Sequence, residues 1–265
     1  MVRPQCVHRY YFGNWFIGSS KVKISNKQAI IIVGTGFSAF TAGNDEANQC
    51  STWNLLIRNG IDHVTTVSEE KGEDWKKATK SLLEIAKSTP DMISVASQVK
   101  SALLEVSQVT YSNWLRDTVG NLKAENYALG ESLRELGIPI LTTNYDKLLE
   151  ETTGYPTTTW QYPDKLHECY LNKENFIGHL HGVFDEPDGV IFSDSDYSQL
   201  LRDDTSRYIE NSLYSNFAFI YVGYGEGFND PNFSKLIDEN TKRFPNSNIT
   251  HYQLCRESDL SVQIK

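Results

Sequence analysis

The sequence predicts an α/β fold: a doubly wound, mostly parallel sheet with helices on both faces. Three observations carry that prediction. The run Ala29-Ile30-Ile31-Ile32-Val33 is apolar without alternation and closes on Gly34 and Gly36. Short apolar runs rich in β-branched or aromatic residues return at 138–143, 176–180, 190–192, 217–222 and 249–254. Stretches of helical spacing lie between them. A strand with one wet face alternates polar and apolar residues, whereas a strand covered on both faces does not, and parallel neighbours need crossover helices.

Taken in order, residues 1–28 read as an N-terminal extension peripheral to the first strand, and 29–260 as the domain. A helical block follows at 74–137. Trp75, Ala78, Leu82 and Ile85 repeat at three and four, as do Val95, Val99, Ala102 and Val106, and Pro90 separates the two helices. A third helix is expected from about Tyr111. A fourth runs from an Asn126 cap through Leu129, Leu133 and Leu136 to Gly137, where a C-terminal glycine belongs. The Thr/Gly/Pro-rich stretch 152–159 reads as a mobile loop, and the acidic run Asp185 to Asp196 as solvated loop. No internal repeat or low-complexity tract interrupts the pattern, and the segment after Cys255 is too short for another domain.

The 265 residues carry 34 Asp and Glu against 25 Lys and Arg, a formal charge of −9. That balance argues against direct nucleic-acid binding, which needs a basic face to displace counterions. A hydrophobic share of 39% supports a sizeable core. No run approaches the roughly 20 apolar residues of a membrane span. The aromatic run Tyr10 to Gly18 is short, broken by Asn14 and followed by no small-residue cleavage site, so no membrane association is expected and the chain reads as soluble and cytoplasmic. Cys6, Cys50, Cys169 and Cys255 lie too far apart for close metal-ligand pairing and read as reduced thiols.

Four polar clusters follow predicted strands, where such folds bind ligands. Gly34-Thr35-Gly36-Phe37-Ser38 is either a backbone cradle for a pyrophosphate or an ordinary strand-to-helix turn; Ala39 stands where a third glycine of a dinucleotide fingerprint would be. Asn144 and Asp146 either hold ribose hydroxyls or cap the helix starting near Lys147. His179 and His181 share one face of a strand. Either is a core histidine, or a general base with a pKa near neutrality; a zinc pair lacks a third ligand at suitable spacing. Gly223-Tyr224-Gly225 is a second glycine turn facing a ligand, or a simple loop before the helix opened by Asn229-Asp230-Pro231.

Read together, these clusters resemble the sirtuin-like family. Gly34-Thr35-Gly36-Phe37-Ser38 is similar to its glycine-alanine-glycine-x-serine motif, Thr142-Thr143-Asn144-Tyr145-Asp146 to its threonine-x-asparagine-x-aspartate motif, and His181-Gly182 to its histidine-glycine pair. Gly223-Tyr224-Gly225 with Asp230-Pro231-x-Phe233 resembles the late motif of a divergent branch that contains bacterial antiphage NAD hydrolases and related animal proteins. The resemblance spans about 29–255. It implies a Rossmann-like domain that takes NAD as substrate, uses no metal and cleaves the nicotinamide–ribose bond. Asn144 and His181 would be catalytic; Gly34, Thr35, Gly36, Phe37, Ser38, Asp146, Gly223 and Gly225 would bind the nucleotide. It further implies a homo-oligomer or filament, a sensor or activator protein, and a role in antiviral defence or NAD signalling. A weakly catalytic NAD- or ADP-ribose-binding assembly module is the alternative. Protein deacylation ranks third, because the four-cysteine zinc module of deacylating members has no counterpart in the sequence, and Gly225 stands where the late motif usually has serine.

Overall fold

The structure, a computed structural model, describes residues 21–43, 50–69, 73, 75, 77, 91–172 and 174–254. Six parallel strands form its sheet: β1 (Ala29–Val33), β2 (Ile140–Thr142), β3 (Thr157–Thr159), β4 (Ile177–His179), β5 (Ala218–Val222) and β6 (Tyr252–Leu254), in the order β3-β4-β2-β1-β5-β6. β1 is central, with Ile31 against Ile140 on one side and Ile220 on the other. Its five residues are all buried.

Successive β1 side chains enter opposite layers. Ile31 and Val33 join Ile140, Ile177, Ile220 and Val222 in one core cluster; Ile30 and Ile32 join Leu141, Phe219 and Tyr221 in the other. Full burial of each such aliphatic side chain contributes about 1.5–3 kcal/mol, which is why no polar residue interrupts the run. The first layer is covered by α2 (Trp53–Glu69), α3 (Met92–Val106), α4 (Gln108–Thr118), α5 (Ala128–Glu135) and α6 (Leu148–Thr153), with α1 (Thr35–Thr41) leaving the end of β1. The second is covered by α7 (Pro163–Leu171), α9 (Asp204–Asn216) and α10 (Pro231–Arg243). Between them, α8 (Asp194–Leu200) packs Tyr197 and Leu200 with Trp160 and Ile191 in a satellite core.

The helical block forms as its spacing dictates. Val95, Val99 and Ala102 are buried along α3, whose cap Asp91 accepts from the amides of Ile93 and Ser94. Ser107 ends α3 and caps α4 at once, its hydroxyl accepting from Thr110 N at 3.0 Å. Asn126 Oδ1 accepts from Ala128 N ahead of α5, and Gly137 takes a positive φ after it. Of the helix expected around Trp75, that residue is helical and packs against the core. Ala78, Leu82 and Ile85 lie outside the described residues, as do 1–20, Cys6 and 255–260.

Three expectations are corrected. The stretch 152–159 is ordered secondary structure: Thr152 and Thr153 end α6, and Thr157–Thr159 form the edge strand β3 against β4. β-Branched threonines suit a pleated edge, and Gly154 and Pro156 only mark the turn before it. Val190 to Phe192 are buried but form no strand. Their backbone is satisfied piecemeal, by Ile191 N on His181 O (2.9 Å) and by the Tyr145 hydroxyl on Ile191 O (2.7 Å). Asp196 is not solvated: it closes a capping box with Ser193 at the start of α8 and pairs with Lys100 at 2.8 Å.

Candidate functional site

β1 connects toward β2, while the chain returns to the other side of β1 as β5. The carboxyl ends of β1 and β5 therefore frame a topological switch point, where doubly wound sheets leave a crevice. Two turns meet there. Gly34 N donates to Val222 O (3.1 Å) and Gly36 N to Gly223 O (2.9 Å). A Cβ at Gly36 would lie 2.8 Å from Gly223 Cα, and one at Gly223, whose φ is 60°, would lie 2.5 Å from Phe37 N. The glycines let the two turns interlock, and part of the expected cradle is thereby occupied, since Phe37 N also donates to Gly34 O. Thr35, Gly34 and Gly36 still line the crevice.

Phe37 and Ser38 point the other way. Phe37 is fully buried in the core, and Ser38 lies beneath the crevice without lining it. The Ser38 hydroxyl donates to Asp146 Oδ2 (2.6 Å) and accepts from Asn144 Nδ2 (2.8 Å). Asn144 Nδ2 also donates to Gly34 O (3.1 Å), so the two carbonyl- and hydroxyl-directed bonds fix which way the amide faces. Its Oδ1 is buried and has no protein partner. Asp146 Oδ1 accepts from Leu148 N (3.0 Å), so this residue, just ahead of the Lys147 cap, both satisfies the first amide of α6 and serves the site network. Burial pushes its carboxyl above the ordinary range, against the Ser38 and Leu148 donors that hold it down.

The two histidines divide their roles. His179 is fully buried; Nδ1 meets Asn144 O at 2.9 Å and Nε2 meets Glu150 Oε1 at 2.8 Å. A carbonyl only accepts, so Nδ1 carries a proton. Burial pushes this imidazole down, but Glu150 outweighs it and leaves the group raised; burial pushes Glu150 up, and His179 leaves it lowered. This pair braces the backbone of Asn144 from below. His181 follows β4 at a turn where Gly182 has φ 78° and a Cβ would strike Gly189 O at 2.2 Å. The His181 ring lines the crevice, its Nε2 is buried without a hydrogen-bond partner, and burial holds its pKa below the usual 6.5, with Asp230 opposing in part.

The resulting cavity has a volume of about 710 Å³, within the range of small-molecule and cofactor sites. The sheet side supplies Thr35, Asn144, Asp146, His181, Tyr224 and Gly225; the start of α2, through Trp53 and Asn54, and the start of α3, through residues 91–93, supply the facing wall. Gly225 faces open space, where an added Cβ would meet nothing within 4 Å. Among the described residues the charged lining groups are Asp91, Asp146 and Asp230. Also among them, no group of three or more His, Cys, Asp or Glu side chains is arranged to hold a metal ion, and no helix is long and apolar enough to cross a membrane. Sequence reasoning brought together Asn144, Asp146, His181 and both glycine turns. It named Asp230 as a helix opener and as part of the late motif, not as a neighbour of His181, and it did not single out Tyr197 or Trp53 on the far wall.

The parallel sheet, its switch point and the polar turns there define a Rossmann-like fold with a nucleotide-sized crevice. Residues 139–265 match the family model of the SIR2-like domain, and the chain is consistent with a member of the sirtuin-like family. The match includes Asn144, Asp146, His181, Gly223 and Asp230, while the turn at 34–38 precedes it. SIR2-like proteins are a family of NAD-binding enzymes.

Proposed function

We propose that this protein hydrolyses NAD at the nicotinamide–ribose bond. The observation that carries the reading is a pair of unpartnered buried polar atoms, Asn144 Oδ1 and His181 Nε2, on side chains that line one cavity. A buried acceptor left without a partner costs about 1–3 kcal/mol. Ribose hydroxyls or an attacking water would satisfy both, so these residues fit NAD as substrate.

Cleavage consumes NAD and water and yields nicotinamide, ADP-ribose and a proton. The C–N bond breaks with positive charge growing on the ribose. Three carboxyl groups on the lining and no described cation favour that charge. Asn144, whose amide cannot act as a base, orients a hydroxyl or water through Oδ1. His181 accepts the proton released, and its lowered pKa keeps it neutral and ready at pH 7. General bases of this kind contribute roughly 100- to 10,000-fold. Thr35 and the clear space at Gly225 receive the phosphates. Asp146 braces Asn144 through Ser38 and faces the ribose hydroxyls.

The test is NAD consumption and nicotinamide release by the purified protein, with Asn144→Ala and His181→Ala as controls and protein concentration varied. Turnover by the wild type alone supports the reading, and a specific activity that rises with concentration supports activation by self-assembly. Wild-type-like hydrolysis by either variant overturns the assignment of roles. NAD binding without turnover at any concentration returns the protein to an assembly module. The part in antiviral defence or NAD signalling rests on the family resemblance and follows only if NAD is consumed.

A further inference from the structure

Asp230 stands beside His181 in an arrangement that helix capping does not require. Its Oδ1 accepts from the amides of Asn232 (3.0 Å) and Phe233 (3.1 Å), opening α10, and its Oδ2 accepts from the Tyr197 hydroxyl (2.6 Å) of α8. One side-chain oxygen suffices for a cap. The second oxygen, tied to Tyr197, fixes the carboxylate from another element and turns it toward the cavity. There Oδ1 lies 3.7 Å from His181 Nε2, and the Tyr197 ring meets the His181 ring edge-on at 5.5 Å. A distance of 3.7 Å is beyond a hydrogen bond, so Nε2 remains free for a substrate group.

We propose that Asp230, anchored by Tyr197, is the positioning residue for His181, holding a fixed negative charge against the imidazolium that forms when His181 takes a proton. The proposal rests on the NAD-cleavage reading for the identity of the reaction, but the electrostatic link between the two side chains is testable without it. The carboxylate is too far to receive the proton itself, and its three hydrogen bonds keep it from rotating away. Attraction between opposite charges at this separation is stronger between largely buried side chains, such as these, than in bulk water. Asp230 is the charged group acting on His181, Tyr197 is the titratable ring packed on it, and the phenols of Tyr145 and Tyr224 lie around the same carboxylate. His179, two residues earlier, is engaged with Glu150.

The experiment uses the full chain with isotope-labelled histidine. The His181 titration is followed by NMR in the wild type, Asp230→Asn and Asp230→Ser, with the His181→Ala spectrum as assignment. Asn and Ser both cap helices well, so α10 is retained, and circular dichroism checks it. Each variant should lower the His181 midpoint by about one pH unit. In NAD turnover the same variants should reduce kcat about tenfold or more with KM little changed, while the acid limb of the pH–rate profile moves to lower pH. A merely structural role would not move that limb. An unchanged His181 midpoint in both variants overturns the proposal. A midpoint that shifts in a protein that never cleaves NAD upholds the Asp230–His181 link and overturns the hydrolase reading instead.

Discussion

Replacing Glu150 by Gln probes the brace beneath the site. In the wild type Glu150 and His179 meet at 2.8 Å, with the His179 side chain fully buried and that of Glu150 16% exposed. Glutamine keeps a side chain able to donate to Nε2 of a neutral imidazole, while Nδ1 still donates to Asn144 O. The hydrogen bonds survive and the charge pairing is lost. Removing one partner from a buried ion pair costs about 3–5 kcal/mol when the other charge is stranded. Because His179 can neutralise, about 1–3 kcal/mol is expected instead. The sign with pH follows from the direction of each shift. His179 is raised above 6.5, so its contribution is complete below 6.5 and is lost as pH climbs through the folded value. Glu150 is lowered below 4.5, so its contribution is complete above 4.5 and is lost as pH falls through the folded value. The difference between wild type and Glu150→Gln should therefore be greatest between pH 4.5 and 6.5 and shrink toward alkaline pH. Urea denaturation of both proteins across that range measures it, and the contribution of His181 cancels in the difference. A gap that stays flat from pH 5.5 to 9, or no gap at pH 5.5, would refute the ion-pair assignment.

Two further outcomes follow from the cavity. Gly223→Ala should lose about 1–3 kcal/mol or more in thermal or urea unfolding, because a Cβ at φ 60° would press on Phe37 N at 2.5 Å. Gly225→Ala should leave stability nearly unchanged, its Cβ meeting open space, and should instead weaken NAD binding in calorimetry. In the pH–rate profile of the wild type, the base is active when neutral, and His181 is held below 6.5. The acid limb of turnover should thus be centred below pH 6.5; a fall centred above 6.5 would remove His181 from the role.

The fold was legible where burial is complete. β1 and β5 are apolar throughout because both their faces are buried under helices. β3 was not, since three threonines after a glycine–proline turn carry the same composition as a loop, and only pairing with β4 makes them a strand. Residues 190–192 show the converse: buried apolar residues whose backbone groups are met one at a time, by near neighbours such as Pro187 and Asp196 and by distant ones such as His181 and Tyr145, look like a strand in sequence. At the site, the motif 34–38 located the crevice but could not say that Phe37 and Ser38 turn inward, because that depends on how α1 leaves β1. The alternation of His179 and His181 predicted a shared strand face, but β4 ends at His179 and His181 lies in the turn after it, and the Glu150 partner that holds His179 lies on α6. Tyr197 and Asp230 meet only through the packing of α8 against the start of α10.

The interlocked glycine turns have a consequence for how the protein comes into being. The amides of Gly34 and Gly36 reach their acceptors only when Val222 and Gly223 are in place. During synthesis from the N-terminus, the first turn waits for nearly the whole chain before its geometry closes, and the long-range contact it needs is slow to form. The crevice is thereby tied to the arrival of β5: a chain halted before it has the first motif in full and no second turn to lock it against.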